Sequence, residues 1–160
     1  MGVRMITPIS AVDKLLYMAF AILKDEINNC LAKLGEECIV KIRDRSGSDS
    51  WFDQTGNLRS SIGYAVYDYG VTKLQSIFKV VLNGSEGSAE GQKMISELAK
   101  NYSNAFALVV VAGMNYAEYV ESLENKDVLA SAELWAKSVI DARLEKAKNA
   151  AIKKIDKLTI

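Results

Sequence analysis

The residue types that most often carry catalysis are absent from this chain or spaced in ways that do not favour it. Its 160 residues include no histidine, which excludes Ser-His and Cys-His nucleophilic catalysis and metal sites built on imidazole. Glu118 and Glu121 lie three positions apart on a predicted helix, with Tyr102, Tyr116 and Tyr119 close in sequence. This arrangement could serve acid-base chemistry, but nothing raises either carboxylate above the ordinary charged face of an amphipathic helix, which is the favoured interpretation. We expect no catalysis, no metal and no cofactor.

The spacing of the two cysteines also argues against a disulfide between them. Cys30 and Cys38 lie eight positions apart in one predicted helix, so their Cα atoms would be about 12 Å apart along its axis. A disulfide needs a separation under about 7 Å, so the two cannot pair within one chain. We expect small, largely buried apolar side chains of low reactivity, and free thiols are typical of a cytosolic protein.

A run of glycines falls where a phosphate-binding loop would lie, between a predicted strand and a predicted helix. A P-loop has four residues between its glycines and ends in Gly-Lys-Ser/Thr. Here three residues separate Gly87 from Gly91, and Lys93 is followed by Met94. Together with Gly84, this pattern favours a tight turn into a helix over a nucleotide site.

The elements that would position these residues begin with a long helix. Apolar residues recur at spacings of three and four from Val12 to Cys38, which predicts a helix over about 10–42 that starts near Ser10 and Asp13. The first half of this helix is apolar nearly all round. That pattern favours burial in the chain's own core, with a contact to another chain as the alternative.

The rest of the chain predicts an α+β fold. A polar loop is expected over 44–57. Apolar alternation and one continuous apolar run predict strands at about 62–69, 76–82 and 105–112. Helical spacing predicts further helices at about 88–102, 116–123 and 128–158. With 49% hydrophobic and 25% charged residues, we expect one domain over 1–160. Its small, mainly antiparallel sheet of three or four strands would pack against long N-terminal and C-terminal helices, all on one face.

Charge is balanced overall but uneven along the chain. Twenty basic residues match twenty acidic ones, which leaves no net field for nucleic acid or an anionic membrane. Residues 137–160 nevertheless hold seven Lys or Arg against three acids. A solvated helix face with cations near its C-terminus is the favoured interpretation, and a site for an acidic partner is the alternative; the lysines concerned are Lys146, Lys148, Lys153, Lys154 and Lys157.

Two further features concern location and contact. The sequence shows no pattern of a signal peptide and no apolar run of about 18 residues, so we expect a soluble protein that is not exported by a signal peptide. Trp51 and Phe52 are large aromatic residues within the polar loop. We expect them to fold back onto the domain or to contact a partner, where burial would contribute about 1.5–3 kcal/mol each.

Two motifs resemble a bacteriophage family. The segment 55–62 reads Thr-Gly-Asn-Leu-Arg-Ser-Ser-Ile, and the segment 116–121 reads Tyr-Ala-Glu-Tyr-Val-Glu. They resemble the Thr-Gly-x-Leu-Arg-x-Ser segment before the first strand, and the Tyr-Ala-x-Tyr-Val-Glu segment after the last, of the tail-completion or head-tail joining proteins (minor tail components) of long-tailed phages. With the two long flanking helices, the resemblance covers most of the chain in outline.

This resemblance implies a structural phage or prophage protein without catalysis, which joins head to tail or completes the tail as a closed homo-oligomeric ring. Its partners would be other phage tail or connector proteins, with no membrane and no sequence-specific nucleic acid. It would lie in the host cytoplasm before assembly and in the virion afterwards. We expect the loop 44–56 to order on docking. The candidate contacts are Trp51, Phe52, Thr55, Gly56, Leu58, Arg59, Tyr116, Tyr119 and Glu121.

Other interpretations stay open at this stage. Arg59 and Glu121 are opposite charges in the two motifs, so we expect them to pair within the chain or across neighbouring subunits. The main alternative function is a cytosolic helper or regulator that binds another protein in a groove between its long helices. A small enzyme would instead need a substrate-sized pocket lined by Tyr102, Tyr116 and Glu118.

Overall fold

The computed structural model describes residues 8–44, 54–122 and 128–158, and it confirms the α+β class. A long first helix and a long last helix enclose a three-stranded sheet and shorter helices. In chain order the elements are α1 (Ile9–Arg43), α2 (Asn57–Ser60), β1 (Ile62–Asp68), β2 (Val71–Gln75), α3 (Ser85–Leu98), a 3-10 helix (Ala99–Tyr102), β3 (Phe106–Ala112), α4 (Ala117–Ser122) and α5 (Ala130–Ile155).

The sheet is antiparallel, with the order β2-β1-β3. Asp68 pairs with Val71, so only Tyr69 and Gly70 connect β1 to β2. Both have positive φ, 51° and 80°, which is the geometry of a tight hairpin whose twist matches its strands. This turn places the second strand immediately after the first.

The strand predicted over 76–82 is therefore wrong, because β2 ends at Gln75. The backbone N–H of Ser76 still donates to the carbonyl of Tyr64 at 3.0 Å, but the chain then leaves the ladder. Phe78 is buried, whereas Val80 is exposed. The N–H of Val81 is bound by the Ser60 hydroxyl at 2.8 Å rather than by a strand. The alternation of apolar residues here reflects an extended segment without strand pairing.

Helices cover both faces of the sheet, so the expectation of helices on one face is wrong. On one face, α1 and α5 bury Ile62, Tyr64 and Val66 of β1. On the other, Ala65 and Tyr67 pack with residues that follow β2 and with α3, chiefly Phe78 and Ile95. Strand β1 is buried along its whole length, because side chains that alternate in direction meet a helix layer on each side.

The other boundaries differ from the predicted ones by a few residues. Helix α1 begins at Ile9 after Pro8, and no side chain caps it, so Ser10 does not have the predicted capping role. Helix α3 begins at Ser85 rather than 88 and gives way to the 3-10 helix at Ala99. Gly87 and Gly91 consequently lie inside α3, where their missing side chains allow close contact with α2 and Phe78. Their role is packing, which agrees with the absence of a P-loop spacing.

Candidate assembly surface

The first motif forms a bend that leads directly into β1. Gly56 has a φ of 82°, and a side chain there would collide with the carbonyl oxygen of Val81. Thr55 accepts the N–H of Asn57 on its hydroxyl at 3.3 Å, and its carbonyl accepts the N–H of Asn83 at 3.1 Å. Glycine at position 56 is thus required both by the left-handed backbone and by the neighbouring chain segment.

The motif also ties α2 to the helix on the far face of the sheet. The Asn57 side chain accepts the N–H of Gly87 at 3.2 Å and donates to the Glu86 carboxylate at 3.1 Å. Leu58 is buried in the core below β1. Gly56 and Leu58 are therefore covered by this chain itself, and they position the motif rather than present a side chain to a partner.

Arg59 and Glu121 are held by different groups within the chain. Arg59 Nη1 donates to the carbonyl oxygen of Arg43 at the end of α1. Glu121 Oε1 accepts the N–H groups of Leu129 and Ala130, at 3.0 and 2.7 Å. These are free amides at the start of α5, and a carboxylate there is favoured by the helix dipole. Glu121 therefore caps α5, a role that its position nine residues before the start of the helix did not reveal.

The second motif contains the most accessible of the predicted contacts. It follows β3 and forms α4, with Ala117 buried against the core. Tyr119 is 67% exposed and Tyr116 is 37% exposed. Trp51 and Phe52, and with them most of the loop predicted to order on docking, lie outside the described residues. Among the predicted contacts that the structure describes, Tyr119 is the large side chain most available to a partner.

The structure reveals a larger accessible surface that the sequence interpretation assigned to the core. The first half of α1, residues 9–23, is here called the arm. Five of its large apolar residues are between 41% and 78% exposed, namely Ile9, Leu16, Tyr17, Met18 and Phe20, whereas Val12, Leu15, Ile22 and Leu23 are half-buried. The expectation that this half is buried in the chain's own core is wrong. The helical stripe that covers the sheet through Leu31, Leu34 and Cys38 continues into the arm, where the described residues of the core no longer pack against it.

Contacts of Lys24 and Glu26 show where the sheet and α5 stop packing against α1. Lys24 Nζ lies 3.3 Å from the Asp68 carboxylate at the last residue of β1. Lys154, one residue before the end of α5, pairs with Glu26. Because α1 is one continuous helix, the 15 residues of the arm extend about 22 Å beyond these contacts. Exposed apolar surface of this extent makes the arm a candidate site of contact with another molecule.

The basic final helix, α5, exposes its lysines to solvent and also forms an ion pair with α1. The five predicted lysines are exposed, which confirms the solvated face. Lys148 pairs with Glu145 at 3.0 Å, and Arg143 binds Glu37 through both guanidinium nitrogens. The basic excess of the last helix thus partly meets acidic residues of the first.

A cavity of about 360 Å³ lies between α1, β3 and α5. Its lining is mostly apolar, with residues such as Leu34, Leu108 and Ile140, and it includes Tyr102. Tyr116 and Glu118 do not line it. The pocket that an enzyme using these three residues would need is therefore not formed by this cavity.

A groove of about 440 Å³ also runs between the two long helices. Its lining combines charged residues, including Glu26, Lys33 and Arg143, with Ala147 and Ala150 at small positions of α5. Such a lining suits a polar or charged segment better than the apolar face of a helix, because buried charges need partners.

The cysteines behave as expected. Both are free; Cys38 is buried and Cys30 is half-buried. Burial raises the pKa of each thiol, which lowers the fraction of reactive thiolate at neutral pH. Across residues 8–44, 54–122 and 128–158, no group of three or more Cys, Asp or Glu side chains is placed to hold a metal ion.

Within the same described part of the chain, no helix combines the length and apolar character needed to cross a membrane. No protein-family model, no curated protein and no solved structure matches this chain.

Proposed function

We propose that this chain is a structural phage or prophage protein that acts in head-tail joining or tail completion by assembling into a ring, without a catalytic step. The observation that carries the proposal is the arm, where five large apolar side chains are between 41% and 78% exposed and are not covered by the rest of the described residues. When a partner covers such a surface and removes it from water, the free energy of the complex falls by roughly 25 cal/mol per Å² of apolar area.

The resemblance of the two motifs supplies the class of assembly. The first motif leads into β1 and the second follows β3, which is the order that the resemblance to tail-completion and minor tail components requires. In the described residues both motifs serve to fix elements of the fold, through Gly56 and Glu121. We therefore assign the contacts between subunits to the arm and to exposed residues such as Tyr119, rather than to the buried motif positions.

Electron microscopy of the purified protein, alone and after incubation with purified phage tails, tests this proposal. We expect closed rings at high protein concentration or added density at one end of the tail. A protein that stays monomeric and binds no tail or connector component would contradict the proposal. Flanking genes for portal, major tail and tape-measure proteins would support it independently, whereas a housekeeping or secretion operon would count against it.

The second candidate is a cytosolic helper or regulator that binds another protein between its long helices. The groove between α1 and α5 is the observation that favours it. Replacing Ala150 with Trp would narrow this groove, because Ala150 lies in its lining and is only partly buried. Loss of partner binding in this variant, together with unchanged assembly, would favour the helper over the ring component.

A further inference from the structure

A second exposed apolar surface lies along the outer strand of the sheet and the segment that follows it. We call it the edge patch, and it consists of side chains that are between 38% and 87% exposed: Val71, Leu74, Ile77, Val80 and Leu82. Strand β2 has one neighbour, β1, in the sheet of the described residues. All five of its residues are exposed. The described residues thus present the edge patch as an apolar surface in addition to the arm.

The two surfaces have similar lengths and areas. The arm is about 22 Å long, and the extended chain from Val71 to Ile77 spans roughly 20 Å. Each surface exposes five large apolar side chains, which amounts to several hundred Å². Met18 lies on the opposite side of the helix from Ile9, so a contact through the Ile9, Leu16 and Phe20 face would bury several hundred Å² per partner, in the range of the smaller specific interfaces.

Charges favour the arm against the edge patch over the arm against itself. Asp13 is four positions after Ile9 and three before Leu16, so it shares their face of the helix. The charged residues between positions 69 and 82 are Lys73 and Lys79, and both are exposed. Lys14, the other charged residue of the arm, lies towards Met18 and away from Ile9. A pair of arms joined through the face of Ile9 and Leu16 would bring two copies of Asp13 into one interface, whereas the edge patch carries the cations Lys73 and Lys79.

We propose that the arm of one copy lies against the edge patch of the next copy, in a head-to-tail contact. This inference rests on the proposed function, since it specifies how the ring would form. A head-to-tail contact leaves a free arm and a free edge patch at the two ends of any chain of subunits, so it closes into a ring when the rotation permits. A symmetric pair of arms would stop at a dimer and would leave both edge patches exposed.

Two variants separate these geometries. Leu16→Glu places a charge in the arm, and Ile77→Glu places one in the edge patch. Both residues are more than half exposed, so we expect native circular dichroism spectra for both. Ile152→Glu, on the exposed side of α5, is the matched control and should assemble as the wild type does. Each interface variant alone should associate at least about tenfold more weakly than the wild type.

The decisive measurement is the mass of an equimolar mixture of the two variants, determined by sedimentation velocity. The intact arm of Ile77→Glu can still bind the intact edge patch of Leu16→Glu, so we expect a complex of one copy of each that grows no further. Dimers formed by Ile77→Glu alone, or a mixture that stays monomeric, would overturn the inference.

The wild type distinguishes failure of this inference from failure of the proposed function. If both variants still form rings as the wild type does, the arm-to-edge contact is overturned, whereas the proposal of ring assembly is not. A wild type that stays monomeric at the highest attainable concentration overturns the contact, and if it also binds no tail it overturns the proposed function.

Discussion

Arg143 donates hydrogen bonds from Nη1 and Nη2 to the two carboxylate oxygens of Glu37, at 2.7 and 2.6 Å, although the two residues are 106 positions apart in the sequence. This two-point contact joins the middle of α5 to the second half of α1. Farther along, Lys154 meets Glu26 near the end of α5. The two helices are therefore antiparallel, and their register leaves the first half of α1 beyond the end of α5. The exposed arm is a consequence of this pairing.

The Glu37 contact makes stability depend on pH in a defined direction. The hydrogen bonds from Arg143 hold the pKa of the Glu37 carboxyl below its ordinary value. Its contribution to stability is therefore present above the ordinary carboxyl pKa and is lost as the pH falls through the lowered one. Because both side chains are partly exposed, we expect Glu37→Gln to cost about 0.5–1 kcal/mol at neutral pH.

Urea unfolding of the wild type and Glu37→Gln at a series of pH values measures this effect. The difference between the two free energies of unfolding should shrink towards zero on acidification. Glu118→Gln, on the exposed side of α4, is the control and should behave as the wild type. A difference of constant size from neutral to acid pH would contradict the assigned ion pair.

The Glu121 cap predicts a specific loss of stability. Glu121→Ala removes the acceptor for the N–H groups of Leu129 and Ala130, and we expect a loss of about 1 kcal/mol in the free energy of unfolding. Hydrogen exchange at these amides should also become faster. The matched substitution Glu118→Ala should change neither quantity, and equal effects of the two substitutions would argue against the cap.

Two glycines with the same backbone conformation should respond differently to alanine. At Gly56 a methyl group would collide with the carbonyl oxygen of Val81, whereas at Gly70 the nearest heavy atom is 3.3 Å away. Gly70→Ala should cost about 1 kcal/mol for the left-handed backbone alone. Gly56→Ala should cost about 3 kcal/mol or more, because the neighbouring segment must also move. Thermal unfolding of both variants tests this order, and equal midpoints would refute it.

Tyr64 predicts a change in stability at alkaline pH. Burial and a hydrogen bond from its hydroxyl to Glu36 raise the pKa of Tyr64 to about 12. Its contribution is fully present below the ordinary tyrosine pKa and is lost as the pH rises towards 12. Urea unfolding from pH 9 to about pH 12 should show a smaller alkaline loss for Tyr64→Phe than for the wild type. Parallel curves would show that Tyr64 ionises as an exposed tyrosine does.

Periodicity alone was enough to predict the long helices and the two strongest strands. Residues such as Leu31, Leu34 and Cys38 repeat at helical spacing because they face one sheet. The second strand was misplaced because its position depends on Tyr69 adopting a left-handed backbone before Gly70, which nothing in the tyrosine side chain indicates. Val71 and Leu74 are exposed at an edge, so they carried no sign of burial that could have identified β2.

The arm could not be identified from the sequence for a similar reason. An apolar stripe in a sequence does not indicate whether the same chain or another one packs against it. In α1 the sheet stops packing against the apolar stripe near Lys24, which contacts Asp68 at the end of β1. No residue type in the sequence marks that point. The cap formed by Glu121 could not be predicted either, since it depends on how the chain between α4 and α5 brings the two helices together.

The proposed role of the arm in assembly can be tested by measuring the mass of the protein in solution. Phe20→Glu places a charge in the arm, and Leu134→Glu places one at an equally exposed position of α5; the wild-type side chains are 61% and 69% exposed. Sedimentation velocity over a range of concentrations should show assembly of the wild type and of Leu134→Glu, with Phe20→Glu monomeric throughout. Assembly of Phe20→Glu at the same concentrations as the wild type would show that the arm does not mediate assembly.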